Sequence, residues 1–349
     1  MKELLRQLLA RHPMSFAQSV ETFDKIMTGQ VSEAELAAML TLIEVRGPTV
    51  DEIAGAAQVM RQRLTPVDAP NGLTLIDTCG TGGDHSSTLN ISTAAALIAA
   101  AAGRPRGLAV AKHGNRSITS QSGSSQVLEA LGVTLTNRPE TLTRCLDEAG
   151  ICFCFAPSHH PAMKYAMPVR QALGFRTIFN LVGPLTNPAG ARRQLMGVAN
   201  QALTETMAEA LLRLDAEEVM VACGRLGEGW MDELSTVGPT HISHLRNGKI
   251  ETSRIDPASL GISPADPASL QVDSPSASAG VIQSVLTGEH GPARDIVCLN
   301  AAAALMVGGL ADTLATGTEL AAAAIDDGTA GKTLQKLAQI TQSDASPTT

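Results

Sequence analysis

The stretch Leu73-Thr-Leu-Ile-Asp-Thr-Cys-Gly-Thr-Gly-Gly-Asp84 decides how the fold is read. Residues 73–77 form a short β-branched and apolar run that predicts a strand, and the run stops at a glycine-rich loop. Gly80, Gly82 and Gly83 let the backbone approach a ligand closely, and the N–H groups of such a loop can cradle an anion. The loop is no Walker A element, because no Gly-Lys-Ser/Thr follows it. It is no dinucleotide fingerprint either: the last glycine is missing, and Asp84 would face a pyrophosphate. Taken alone, it is equally a plain tight turn.

Working outward, residues 88–93 (TLNIST) open an Ala-rich helical run that continues to Gly103. Thr88, Asn90, Ser92 and Thr93 place four polar side chains at a helix start, where one suffices for a cap. Free N–H groups and the positive end of the helix dipole favour a phosphate there. A second strand, GLAVAK (107–112), runs into Lys112-His-Gly-Asn-Arg116-Ser-Ile-Thr-Ser120, which holds two cations, an amide and several hydroxyls. That loop suits a phosphate-rich ligand. Further strands are predicted at ICFCF (151–155), LMGVA (195–199) and VMVAC (219–223), with a helix ending at VLEALG (127–132) and other helical stretches between them. Strands alternating with helices imply an α/β fold: a mainly parallel sheet flanked by helices. The two polar loops then meet at the carboxyl edge of that sheet, where α/β proteins bind ligands.

Upstream, residues 1–66 read as helices near 1–11, 15–28, 33–45 and 50–64. Ser32 with Glu35 and Thr49 with Glu52 have capping-box spacing. Pro66, Pro70, Asn71 and Gly72 mark a break, so a small all-helical N-terminal unit precedes the large α/β unit. Downstream, THISHL (240–245) and KIETSRI (249–255) flank Asn247-Gly248, a hairpin signal that adds antiparallel strands late. Residues 256–280, rich in Pro, Ser and Ala, predict a surface loop. The runs VIQSVL, 294–307 and 318–326 return to helix, the last residues are expected to be disordered, and no internal repeat is expected.

The chain has 349 residues, enough for one large and one small unit, each with a core of its own. With 44% hydrophobic but only 2% aromatic residues, that core must rest on aliphatic contacts and close helix packing. A net charge of −8 argues against general nucleic-acid binding, so any phosphate site is local. No apolar run is long enough to span a bilayer, and the N-terminus lacks a signal-peptide core, so a cytoplasmic protein is expected. The six cysteines form no C-x-x-C pair and are expected to be reduced and packed in the core. The neighbours Asp232 and Glu233 follow a strand and the loop GRLGEGW, yet such a pair by itself reads as solvated surface. Arg170 likewise reads as a surface salt-bridge residue, and His159-His160 as loop histidines.

Together, the three loops resemble the signature segments of the anthranilate phosphoribosyltransferase family: GTGGD (80–84), NIST (90–93) and KHGNR (112–116) in this order. The likeness continues through GSSQVLEALGV (123–133), residues 155–189 and MDELS (231–235), and so covers essentially the whole chain. The resemblance implies transfer of a phosphoribosyl group from phosphoribosyl pyrophosphate to the amine of anthranilate, in tryptophan biosynthesis. It implies that phosphoribosyl pyrophosphate is held by Gly80, Gly83, Asp84, Thr88, Asn90, Ile91, Ser92 and Thr93. The same ligand is then completed by Lys112, His113, Gly114, Asn115, Arg116, Ser117, Ile118, Thr119, Ser120 and Ser124. Anthranilate falls to Gly80, His113, Asn115, His160 and Arg170, the last through the planar fork that pairs with a carboxylate.

Magnesium, two ions per active site, falls to Ser92, Asp232 and Glu233, and no acid–base residue is assigned. The resemblance further implies a helical domain (1–70, joined by helices from about 161–185), an α/β domain (71–342), a tail (343–349) and a homodimer. Two other readings are weighed against it: a pyrimidine nucleoside phosphorylase and a non-catalytic nucleic-acid-binding relative of the same fold. The chain departs from the family pattern at His85, where glycine is common, at Leu89, where phenylalanine is common, and at Gln126, where aspartate is common. If residue 85 needs a positive φ, its side chain costs some strain.

Overall fold

The structure, a computed structural model, describes residues 1–116 and 122–344. Four helices come first: α1 (Lys2–Leu9), α2 (Phe16–Met27), α3 (Glu33–Arg46) and α4 (Val50–Gln62). Ser32 and Thr49 close the capping boxes that their spacing predicts, and Ser15 with Gln18 adds a third. Then come β1 (Thr74–Gly80), α5 (Ile91–Gly103), β2 (Leu108–Gly114), α6 (Ser124–Ala130), β3 (Ile151–Phe155), β4 (Arg193–Gly197) and β5 (Glu218–Leu226). The short β6 (Gly229–Met231) and the pair β7 (Thr240–Arg246) and β8 (Lys249–Ile255) complete the strands.

These eight strands form one sheet in the order β3-β2-β1-β4-β5-β7-β8, with β6 on β5. The first five pair in parallel, and β6, β7 and β8 add antiparallel ladders. The expected α/β architecture with helices on both faces is therefore present. Asn247 (φ 52°) and Gly248 (φ 72°) both take the left-handed backbone that a two-residue hairpin turn demands.

Strand alternation divides the apolar residues into two clusters. Leu195, Met220 and Ala222 face a cluster built on α5 and the C-terminal helices, whereas Met196, Val219, Val221 and Cys223 face one built on α1–α4 and residues 166–185. The helical unit thus shares its apolar cluster with one sheet face and with the helix Leu203–Arg213. On the opposite face the packing is Ala against Ala. Ala94–Ala101 of α5 and Ala301–Ala304 of the helix Pro292–Val307 are buried, and a Cβ on Gly317 would stand 2.9 Å from that of Ala302. Small side chains at those contacts let helices approach closely, which explains how a chain so poor in aromatics fills its core.

Several expectations need correction. β1 and β2 run past Asp77 and Lys112 to Gly80 and Gly114, so His113 and Gly114 are strand residues and not loop. Residues 256–280 are no plain loop. The pentapeptide Asp-Pro-Ala-Ser-Leu occurs twice, at 256–260 and 266–270, and each copy folds as an Asp-capped 3-10 turn. Leu270 of the second copy is fully buried and accepts the N–H of Leu89. A last helix, Thr329–Ser343, was not anticipated. Its end is tied down, since Asp344 accepts from Thr141 Oγ1 (2.7 Å) and pairs with Arg144 (3.2 Å). The rest of the expected tail lies outside the described residues. All six cysteines are buried and unpaired, and among the described residues no helix is long and apolar enough to cross a membrane.

Candidate active site

Glycines at strand ends build the site. β5 turns back through β6, and the chain then crosses the carboxyl ends of β4 and β1. A Cβ at Gly197 would lie 1.6 Å from the Asp232 carbonyl oxygen, one at Gly80 2.1 Å from Asp232 Oδ2, and one at Gly224 2.4 Å from the Glu233 carbonyl oxygen. Only glycines at these ends leave room for the acidic pair. Asn300, fully buried, fixes the next residue by exchanging 2.9 Å hydrogen bonds with both backbone groups of Leu234.

The pair reaches into both polar segments. Gly82 N–H donates to Asp232 Oδ2 (2.8 Å), and Ser92 N–H donates to Glu233 Oε1 (3.0 Å). The start of α5 is therefore not a set of free N–H groups, because Glu233 already takes one of them. Lys112 Nζ, buried, donates to the Thr78 carbonyl and to Ser92 Oγ (3.3 Å). Burial raises the Asp232 carboxyl, with the Asp84 carboxylate beside it adding to the shift. Burial raises Glu233 too, followed by Asp232, while Lys112 opposes. Neighbouring carboxylates whose ionisation is opposed, beside one buried ammonium, make a site that favours a cation.

Among the described residues no three metal-ligating side chains converge on one point. Two carboxylates and a hydroxyl nonetheless fit magnesium, which draws its remaining ligands from water and substrate phosphates.

Asn90 caps nothing with its side chain; it binds Ser122 and Ser278 Oγ (3.0 Å) and so joins three segments. Ile91 is buried in the core and offers the ligand only backbone, and Thr93 Oγ1 is buried without a partner among the described residues. Thr88 bonds Ser86 Oγ (3.1 Å) and bridges Gln271. Gly114 admits Ser124 Oγ and the Phe153 ring against its Cα, and Ser124 Oγ donates to the Asn115 carbonyl (3.2 Å). Asn115 Oδ1 accepts the N–H of Arg116, whose guanidinium turns outward to Glu129 (3.5 Å) and does not join Lys112. Ser117, Ile118, Thr119 and Ser120 lie outside the described residues.

His113 and His160 meet. Their Nε2 atoms are 3.3 Å apart, and His160 Nε2 also lies 3.3 Å from Thr186 Oγ1. Burial first, then the mutual proximity of the rings, holds His113 well below the usual histidine range. Burial, with His159 adding to it, lowers His160 to about 4, so both rings are neutral at pH 7. Arg170 rests over the Phe179 ring at 5.5 Å and forms no ion pair among the described residues. His85 has φ 55°, so the condition set for strain at that position is met. Gln126 accepts the Gly123 N–H (3.1 Å) and caps α6, a role open to aspartate as well.

Two further residues escaped the sequence reading. Asp77, buried, accepts from His113 N–H (2.9 Å) and Asn187 Nδ2 (2.8 Å), and so locks β1, β2 and the 183–189 segment together. Its position at a strand end before a glycine loop was the available signal. Arg176 donates to the carbonyls of Gly82 and Gly83. A separate groove of about 430 Å³ on the helical unit, lined by Met27, Arg63 and Tyr165 among others, contains none of these residues.

Comparison with known proteins gives the family. Residues 72–331 match the glycosyl transferase family, a/b domain, and residues 2–64 match the glycosyl transferase family, helical bundle domain. The chain is 46% identical over 340 residues to the anthranilate phosphoribosyltransferase of Laribacter hongkongensis, covering 97% of each chain. Against that of Rhodospirillum rubrum it is 47% identical, covering 99% of this chain and 97% of the relative. The crystal structure of the Thermus thermophilus enzyme superposes with a TM-score of 0.87 at 36% identity, covering 97% of this chain and 99% of that one. The Saccharomyces cerevisiae enzyme in complex with phosphoribosyl pyrophosphate and Mg superposes at 0.86 with 24% identity, a likeness of fold, and covers 97% of each chain. On the strength of full-length identity and shared fold, the chain belongs to the anthranilate phosphoribosyltransferase family.

Proposed function

We propose that the cleft at the carboxyl ends of β1, β2 and β4 is where this enzyme transfers the phosphoribosyl group of phosphoribosyl pyrophosphate to the amine of anthranilate, a step of tryptophan biosynthesis. The observation that carries the reading is the meeting of the glycine turn, the start of α5, Lys112 and the Asp232–Glu233 pair within hydrogen-bonding reach. In this reading the Gly80–Asp84 turn and the Asn90–Thr93 segment line the phosphates, with Lys112 supplying positive charge. Ser92, Asp232 and Glu233 hold magnesium, two ions per site. When bound, magnesium neutralises charge that develops on the departing pyrophosphate.

The anthranilate nitrogen attacks the anomeric carbon. A C–N bond forms as the C–O bond to pyrophosphate breaks, and the amine proton passes to water. An aromatic amine is largely uncharged at pH 7, so no base is assigned. Arg170, with no ion pair among the described residues, is the partner for the anthranilate carboxylate, and the neutral His113–His160 pair lies beside the acceptor. Holding both substrates in line supplies much of the rate. The same reading makes the protein a cytoplasmic homodimer of a helical domain (1–70 with about 161–185) and an α/β domain (71–342).

The test is the loss of anthranilate fluorescence on mixing the protein with both substrates and magnesium. Loss that requires all three supports the assignment. Phosphorolysis of thymidine without that loss would favour the nucleoside phosphorylase reading instead.

A further inference from the structure

Arg176 stands between the helices Met167–Leu173 and Ile178–Val182, whose Val169, Ile178 and Phe179 belong to the apolar cluster of the helical unit. From that side it crosses to the glycine turn. A single guanidinium nitrogen, Nη1, donates to the carbonyls of both Gly82 (2.7 Å) and Gly83 (3.1 Å). The two glycines have φ of 66° and 70°, a pair of left-handed residues that directs successive carbonyls to one side. On the other side, the Gly82 N–H goes to Asp232. The turn is thus gripped by its carbonyls from the helical unit and by its amide from the sheet edge. Gly83 is fitted to this contact, because a Cβ there would stand 2.3 Å from Nη1. The guanidinium forms no ion pair among the described residues; Glu44 is the carboxylate near enough to feel its charge, and the direct contacts are the two carbonyls at the rim of the anion cradle.

We propose that Arg176 is a positioning residue for the pyrophosphate group: it holds the Gly82–Gly83 turn so that the N–H groups of Gly83 and Asp84, on the two peptides whose carbonyls it binds, serve the ligand, and it couples that turn to the helical unit. The inference rests on the reading of this cleft as the phosphoribosyl pyrophosphate site. A carbonyl pair bound to a fixed cation is polarised, and the amides of the same turn become better donors to an anion. Arg176 therefore acts on binding of the phosphate donor, not on the acceptor and not on the bond that breaks.

The experiment uses the full chain as wild type, Arg176→Gln and Arg176→Lys. Calorimetric titration with phosphoribosyl pyrophosphate and with inorganic pyrophosphate, both with magnesium, is combined with steady-state kinetics and thermal melting. Arg176→Gln is expected to weaken both phosphate ligands by about tenfold to a hundredfold. It should raise KM for phosphoribosyl pyrophosphate to match, and leave kcat, KM for anthranilate and the melting temperature near wild type. Arg176→Lys, which keeps the charge and one donor, is expected to recover part of the loss.

Affinity within about twofold of wild type in Arg176→Gln overturns the inference. So does an equal loss for both substrates accompanied by a lowered melting temperature, which would mark a purely structural contact. Wild-type protein that fails to bind phosphoribosyl pyrophosphate overturns instead the reading of the cleft on which the inference stands.

Discussion

Asp232 and Glu233 illustrate what a residue pair cannot say in isolation. Two adjacent carboxylates are ordinarily solvated, and only glycines distant in sequence (Gly80, Gly197 and Gly224) make room for these two at the sheet edge. Burial raises both carboxyls, with Asp84 adding to the shift at Asp232 and Asp232 adding to that at Glu233. Ionising them at neutral pH therefore costs the metal-free fold stability, and the cost grows as pH rises through their raised values. Asp232→Asn is accordingly expected to raise the melting temperature at pH 8 in EDTA while abolishing transfer; an unchanged or lowered melting temperature would count against the electrostatic reading.

His160 gives the opposite sign. Its folded value of about 4 lies below the ordinary 6.5, so the unfolded chain binds the proton first. Stability contributed by the neutral ring is present above pH 6.5 and is lost as pH falls toward about 4. The loss is on the order of 3 kcal/mol at most. In urea titrations between pH 4 and 7, His160→Gln should flatten this acid slope; an unchanged slope would place the titration elsewhere.

At the scale of elements, local signals were legible and tertiary ones were not. Capping spacing at Ser32 and Thr49 gave helix starts, and Asn247-Gly248 gave the hairpin, because each depends on chemistry within a few residues. The continuation of β1 to Gly80 and β2 to Gly114 was missed, because glycine and polar residues there read as loop although ladder partners on β4 and β3 extend them. The helix Thr329–Ser343 was legible but overlooked: its buried Ala330, Thr333, Leu334, Leu337, Ile340 and Thr341 recur at helical spacing.

Close packing between helices makes its own prediction. Gly317 sits with Ala302 of the neighbouring helix inside contact distance. Gly317→Leu has no space to enter and is expected to destabilise by about 3 kcal/mol or more, measured by chemical denaturation. A loss below about 1 kcal/mol would mean that the helices separate at little cost.

For the molecule as a whole, strands alternating with helices made the α/β class readable, and side-chain alternation along β4 and β5 divides the core between the two faces of the sheet. The convergence of loops at one sheet edge followed from topology, whereas their detailed partners did not. Arg116 pairs with Glu129, Glu233 takes the Ser92 N–H, and Arg176 holds the glycine turn from another part of the chain. Such contacts join residues tens to more than a hundred positions apart and leave no periodic trace. Function was legible earlier than geometry, since GTGGD, NIST and KHGNR carry it as a combination.

The most direct measurement of the central claim is phosphoribosyl transfer to anthranilate by wild type and by Asp232→Ala/Glu233→Ala, each with magnesium and with EDTA. Wild type should turn over only with magnesium, and the double variant should lose about a hundredfold or more under the same conditions. Transfer that persists in EDTA, or that survives in the double variant, would contradict an active site built on this carboxylate pair.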